Sequence, residues 1–227
     1  MPGELSQVRP PRQRRSRESS ERVLDSARQL LEENGFEGFT VQEVAARSGV
    51  SVGAIYERFG SKESLLRVVH GRVMDALEAD AGEIAASREA PADPGPAIAA
   101  AVADYARIAD RHRRILRAFM HLGAVDEQIA QRGSRASTDG GRVFKELILS
   151  HRSAIAHPEP ELAVDIAFRI VYCTIARQVM YGPTFESDRP VGWERLVKEL
   201  GSACAAYLLS PVLAPPLRRT RTAVRAT

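Results

Sequence analysis

Apolar residues recur at helical spacing along almost the whole chain, and nowhere do they alternate with polar residues as a half-buried strand requires. From Ser20 onward, Val23, Ala27, Leu30 and Leu31 fall at i, i+4, i+7 and i+8, one face of a helix that Asn34 and Gly35 stop. Thr40 then reads as an N-cap, with Glu43 three residues on completing a capping box. The spacing predicts a two-turn helix from Val41 to about Ser48, with Val41, Val44 and Ala45 turned inward and Gly49 in the left-handed position that ends it. Ser51 caps a third helix to about Phe59, Gly60 ends it, and Ser61 caps a fourth that runs through Leu65, Leu66, Val69 and Val73 towards Ala86. Beyond Pro91, Pro94 and Pro96, further helices are expected at about 95–110, 112–122, 126–150, 160–181 and 192–209. Three glycines among Ser and Thr between Gln131 and Arg142 predict that the seventh helix begins late or is kinked. In the last two helices, Ile166, Ile170, Val171 and Ile175 predict one broad buried stripe. Trp193, Leu196, Val197, Leu200, Tyr207 and Leu208 predict another, set inside the monomer or against a second copy.

Residues 40–59 therefore read as helix, glycine-containing turn, helix, each element too short to stand without the first helix behind it. This spacing fits a helix-turn-helix, and also a plain three-helix corner of an all-α bundle. The outer face of the third helix favours the former. Once Ile55 and Phe59 turn inward, Ser51, Val52, Gly53, Ala54, Tyr56, Glu57 and Arg58 are left for solvent or a partner. Small side chains at its start let the backbone approach another surface closely, and a helix N-terminus favours phosphate.

Composition narrows the setting. With 44% hydrophobic and 27% charged residues and no apolar run near the ~20 residues that cross a bilayer, no membrane partner is expected. The first residues lack an apolar leader and there are two cysteines, so a reducing cytoplasm is expected, with Cys173 and Cys204 acting as small buried hydrophobes. A net charge of +3 is too weak to name a polyanion partner by itself, but its distribution is uneven. Arg9, Arg12, Arg14, Arg15 and Arg17 fall within nine residues free of acid, and Arg218, Arg219, Arg221 and Arg225 close the sequence. Neither run has an apolar period, and both read as disordered basic tails, 1–18 and 211–227. No catalytic or phosphate-loop motif is present, and the five histidines have no metal-ligand spacing, so neither catalysis, a metal nor a cofactor is expected.

The segment Arg22 to Leu66, RVLDSARQLLEENGFEGFTVQEVAARSGVSVGAIYERFGSKESLL, resembles the DNA-binding domain of the TetR family of transcriptional regulators. The likeness rests on the loop Gly35, Phe36 and Thr40, on Ala46 with the turn Gly49, Val50 and Ser51, on Ile55, Tyr56 and Phe59, and on Ser61, Lys62 and Glu63. It covers about a fifth of the chain; the remainder is similar to the family only in helical layout and length. The resemblance implies that Thr40 and Tyr56 bond backbone phosphates and that Lys62 supplies a phosphate charge. It also implies that Ser51, Val52, Gly53 and Ala54 lie in the major groove, with Arg58 near base or backbone. Two positions depart from the common pattern. Ala54 stands where a hydroxyl residue is frequent, and Glu57 brings a negative charge that must avoid phosphate or meet a cytosine amino group.

The expected fold is all-α: a helix-turn-helix DNA-binding domain at 19–65 followed by a helical ligand-binding and dimerisation domain at 66–210. The resemblance further implies a homodimer through helices eight and nine, a palindromic operator on double-stranded DNA, and repression relieved by a small-molecule effector. Tyr105, Phe119, Met120, His121, Phe144, Phe168 and Tyr172 are the candidate pocket walls. The rival reading is a DNA-binding structural or protein-interaction factor of the same fold without an effector.

Overall fold

The structure, a computed structural model, describes residues 12–87 and 91–211. Among them the chain forms α1 (Arg12–Asn34), α2 (Val41–Ser48), α3 (Val52–Phe59), α4 (Lys62–Ser87), α5 (Pro94–Arg111), α6 (Arg113–Gly123), α7 (Glu127–Leu149), α8 (Pro160–Tyr181) and α9 (Trp193–Leu209), with a short 3-10 turn at Arg152–Ala154 and no strand. The all-α expectation holds, and α2 and α3 start and stop where their caps dictate. Thr40 Oγ1 accepts from the Glu43 amide at 3.2 Å, and Gly49 ends α2 at φ 68, a left-handed conformation that costs glycine little. Ser51 Oγ accepts from the Ala54 amide at 3.3 Å to open α3.

α1 departs from expectation at its start. Residues 12–18, assigned from the sequence to a disordered arm, are helical. The stretch has no apolar period because its support is polar. Arg14 Nε bonds Glu18 Oε1 at 2.9 Å, the hydroxyls of Ser19 and Ser20 donate to the Arg15 and Ser16 carbonyls, and Arg58 of α3 donates to the Ser16 carbonyl at 2.9 Å. The rest of that arm, residues 1–11, and residues 212–227 of the second basic tail lie outside the described residues.

α7 runs unbroken through the glycine-rich segment predicted to delay or kink it. Asp126 Oδ1 caps it firmly, accepting from the Gln128 and Ile129 amides at 3.0 and 3.1 Å. Gly141 is there for room: a β-carbon at that position would lie 2.5 Å from Phe168 Cε1. Replacing Gly141 by alanine improves intrinsic helix propensity by about 1 kcal/mol, whereas overpacking costs about 1–3 kcal/mol. The Phe168 ring cannot swing away cheaply, because Tyr105 and Phe144 stand 5.5 and 5.4 Å from it, centroid to centroid. Gly141→Ala is therefore expected to lower the urea midpoint, and Gly141→Ala with Phe168→Leu to recover it; an unchanged midpoint in the single variant contradicts the packing argument.

Two buried clusters organise the molecule. One gathers Val23, Leu30, Leu31, Phe39, Val44 and Ile55 of the first three helices with Leu65, Leu66, Val69 and Val73 of α4, and it continues into Ile115, Phe119 and Leu122 of α6. The other joins α5, α7, α8 and α9 around Val102, Ile148, Val171, Ile175 and Leu208. α9 lies closely along α5, and a β-carbon on Gly201 would come within 3.2 Å of Ala99 Cα. α4 closes the small N-terminal core with its first half and also packs against α7 and α5 of the larger bundle.

Within the monomer the two predicted stripes are buried only in part, and one cysteine departs from expectation. Val171 and Ile175 are buried, but Ile166 and Ile170 face outward at 37% and 44% exposure, aligned with Leu162 at 48%. Residues four apart share a helix face, so Leu162, Ile166 and Ile170 form one outward stripe, while Val164, Ala167, Val171 and Ile175 form the inner one. On α9 only Leu200 and Leu208 of the predicted stripe are buried, and Trp193, Leu196, Val197 and Tyr207 are half-buried. Cys173 is exposed and Cys204 buried, both free thiols, and burial pushes the Cys204 thiol up to about 11.

Candidate nucleic-acid interface and ligand cavity

Local sequence builds the α2–α3 corner, and α1 braces it. Ile55 is buried and Phe59 half-buried against the N-terminal core, which fixes the rotation of α3. That rotation leaves Ser51, Gly53, Ala54, Tyr56, Glu57 and Arg58 exposed and Val52 half-buried. A β-carbon on Gly53 would meet nothing within 4 Å, so the first turn of α3 is open in front. Arg22 Nε donates to the Ser48 carbonyl at 3.1 Å and pins the turn to α1. Thr40 lies at the exposed start of α2, where its hydroxyl donates to Glu43 Oε2 at 2.8 Å while accepting the capping amide. The result is an outward helix end with small side chains, at which Tyr56 and the nearby start of α2, Thr40, are also exposed. Such a surface can approach a phosphate backbone and present short side chains to base edges.

On the other side of α4, a cavity of about 1390 Å³ opens between α4, α5, α6, α7 and α8. Six of the seven predicted wall residues line it: Tyr105, Phe119, Met120, Phe144, Phe168 and Tyr172. His121 does not. It is two residues beyond Phe119, about 200° further round α6, and is exposed. His70 of α4 lines the cavity instead, buried, with its ring 4.7 Å from that of Phe119. Burial, aided by the positive charge of Arg132 and opposed by Asp126, pushes the His70 imidazole down to about 4. It is therefore neutral at ordinary pH and can donate or accept a hydrogen bond. Burial chiefly raises the Tyr105 phenol as well, so that it too is uncharged. Some charged groups of the lining pair with one another: Asp165 bonds Lys145 at 2.9 Å and Arg169 at 2.8 Å, and Arg142 bonds Glu146 at 3.3 Å.

Residues 23–69 match the family described as bacterial regulatory proteins, tetR family. An HTH-type transcriptional repressor of Mycobacterium tuberculosis is 30% identical over 150 residues, which cover 65% of this chain and 70% of that protein. The chain belongs to the TetR family. An uncharacterised HTH-type transcriptional regulator of Bacillus subtilis, YerO, is 43% identical over 49 residues, 22% of this chain and 17% of that protein. A TetR transcription regulator from Haloarcula marismortui has the same fold, with a TM-score of 0.64 at 14% identity over 86% of this chain and all of that one. The TetR family consists of DNA-binding transcriptional regulators and not of enzymes. No helix among the described residues is long and apolar enough to cross a membrane.

Of the predicted contacts, Thr40, Ser51, Gly53, Ala54 and Tyr56 are exposed, but two cations are engaged within the protein. Arg58 Nη1 donates to Ser16 O and Oγ at 2.9 and 2.8 Å. Lys62 Nζ donates to the Phe39 carbonyl at 2.7 Å and lies 4.9 and 5.5 Å from the ring centroids of Phe36 and Phe39. Lys62 therefore holds the loop before α2 in shape, with ammonium protons left over for a phosphate. A charged hydrogen bond and a cation–π contact at a part-buried site make Lys62→Ala destabilising by about 1–2 kcal/mol. Its duplex affinity should fall at the same time; an unchanged melting curve rules out the bracing role. The sequence signal for His70, missed above, was its position four residues after Leu66 and three before Val73, on the apolar stripe of α4.

Proposed function

We propose that this TetR-family protein is a homodimeric repressor that grips a palindromic operator with two α3 helices and releases it when a small molecule occupies the cavity. The observation carrying this reading is that one helix, α4, belongs to both parts. Leu65, Leu66 and Val69 close the core behind α3, while His70, Met74 and Leu77 form cavity wall. Ion pairs tie α4 to its surroundings: Arg72 to Glu21 of α1, Arg67 to Asp126 at the start of α7, and Asp75 and Glu78 to Arg132 of α7. A ligand that moved α4 would move the support of α3. It must bind the arrangement unable to hold DNA more tightly than the competent one, because equal affinity shifts nothing.

One eight-residue helix reads few base pairs, so two copies on a two-fold site are required for useful specificity. The Leu162, Ile166 and Ile170 stripe on α8 supplies an apolar surface for the second copy, flanked by α9. The aromatic wall with neutral His70 and Tyr105 suits a largely apolar effector carrying a hydrogen-bonding group. Thr40 and Tyr56 take backbone phosphates, Ser51 to Ala54 the major groove.

The test combines a duplex selected from a randomised pool with a thermal-shift screen of metabolites against the full chain. A compound that raises the melting temperature and dissociates the duplex supports the reading. Gly133 lines the cavity, 3.9 Å from His70 Nε2 for an added β-carbon. Gly133→Leu should therefore keep duplex binding and lose the response. Compounds that stabilise the fold without releasing DNA would leave the effector-free DNA-binding factor as the function.

A further inference from the structure

We infer that the first turns of α1 extend the DNA-facing surface, that Arg15 is a phosphate contact on this extension, and that Arg58 is a positioning residue acting through it. The inference rests on DNA binding by the α2–α3 corner and assigns Arg58 a different role from base reading. Arg58 Nη1 reaches across 42 positions of sequence to donate to both oxygens of Ser16, which engages both hydrogens of that nitrogen. The same carbonyl accepts from Ser20 Oγ at 3.0 Å. Residues 14–18 are exposed and bring no apolar burial, so among the described side chains this tie to α3 is the tertiary anchor of the extension.

Helical periodicity fixes the direction in which each arginine points. Arg22 Nε bonds the Ser48 carbonyl, at the turn that leads into α3, and Arg22 Nη2 bonds Ser19 Oγ at 3.4 Å. Arg15 lies seven residues before Arg22, two turns along the same face, and continues that face past the turn. Arg17 lies four residues before Glu21, which pairs with Arg72, and so belongs to the side of α4. Arg14 is paired with Glu18. Among the described side chains, the exposed, unpaired guanidinium bordering the helix-turn-helix is thus Arg15, next to a surface already suited to phosphate and with no acid from residue 12 to residue 17. Its planar fork fits a phosphate diester, and a neutralised phosphate releases counterions.

The experiment titrates the full chain at several salt concentrations against two probes, the tightest duplex selected from a randomised pool and mixed-sequence genomic duplex. Arg15→Gln should flatten the slope of log affinity against log salt by about 1 per protomer on both probes, with base preference unchanged. Arg58→Gln should reproduce that loss, raise amide exchange in residues 12–19, and add nothing further when combined with Arg15→Gln. Ser16→Ala, which removes one of the two bonds, should give a partial effect if Arg58→Gln proves unstable. An additive double variant, a changed base preference in Arg58→Gln, or an Arg15→Gln slope equal to wild type overturns the inference. Wild-type chain that binds neither probe would instead remove the DNA-binding reading on which it stands.

Discussion

Gly53→Glu is expected to reduce affinity for duplex DNA by roughly a hundred-fold or more while leaving the melting temperature unchanged or slightly higher. The two effects separate because the position serves only the outside. No atom stands within 4 Å of an added β-carbon, so the fold gains no clash. Glutamate is a better helix former than glycine by about 0.5–1 kcal/mol, and a carboxylate in the first turn of α3 complements the helix dipole. Towards DNA every term reverses. The carboxylate occupies the space that lets the backbone approach the groove and places like charge beside phosphate, which costs several kcal/mol at an interface. Gel-shift titration and differential scanning of the same preparation measure both quantities. Retained affinity would show that the open face of α3 does not meet the duplex.

Acidification from pH 7 to about 4.5 is expected to cost wild-type chain about 2 kcal/mol of stability through His70 alone. Its folded-state imidazole titrates near 4, below the ordinary value of 6.5, chiefly because burial disfavours the charged form. Between those values the unfolded chain binds the proton and the folded chain does not. The linked stability is therefore fully present above about 6.5 and is lost as pH falls towards 4. His70→Leu keeps an apolar side chain against Phe119 and removes the titration. The difference in unfolding free energy between wild type and His70→Leu, followed by urea melts across this window, cancels what the two chains share. The carboxylates held low by their partners, such as Asp80 beside His112 and Arg111, release their contribution at lower pH. Parallel pH profiles for the two chains would refute the buried-imidazole account. The effect also bears on the cavity: a cationic His70 would meet an apolar wall, so effector binding should weaken in the same window.

How much was legible followed the range of the interactions. Thr40, Gly49, Ser51 and Gly60 set the ends of α2 and α3 through contacts within a few residues, so pattern alone placed them. The extension of α1 was not legible, because its anchor is Arg58, distant in sequence and without any apolar signature. Hydrophobicity marks Ile166 and Ile170 as apolar without saying whether the core or a second copy covers them, and within the monomer they face outward. His121 was included on chemistry alone, and the turn of α6 sends it the other way from Phe119. His70 enters the sequence reading only as one of five histidines without metal-ligand spacing, and only the folded chain shows it against Phe119 and the cavity.

The sequence by itself determined an all-α chain, the position of the helix-turn-helix and the residues offered at the tip of α3. Periodicity and capping are local physics, written in consecutive residues. Tertiary structure decided which cations are engaged within the protein. From the sequence Lys62 is a phosphate charge and Arg58 a base or backbone contact, yet Lys62 braces the Phe39 carbonyl and Arg58 holds Ser16. It also decided that α4 is shared between the N-terminal core and the cavity wall, since that depends on how helices distant in sequence bury their faces together.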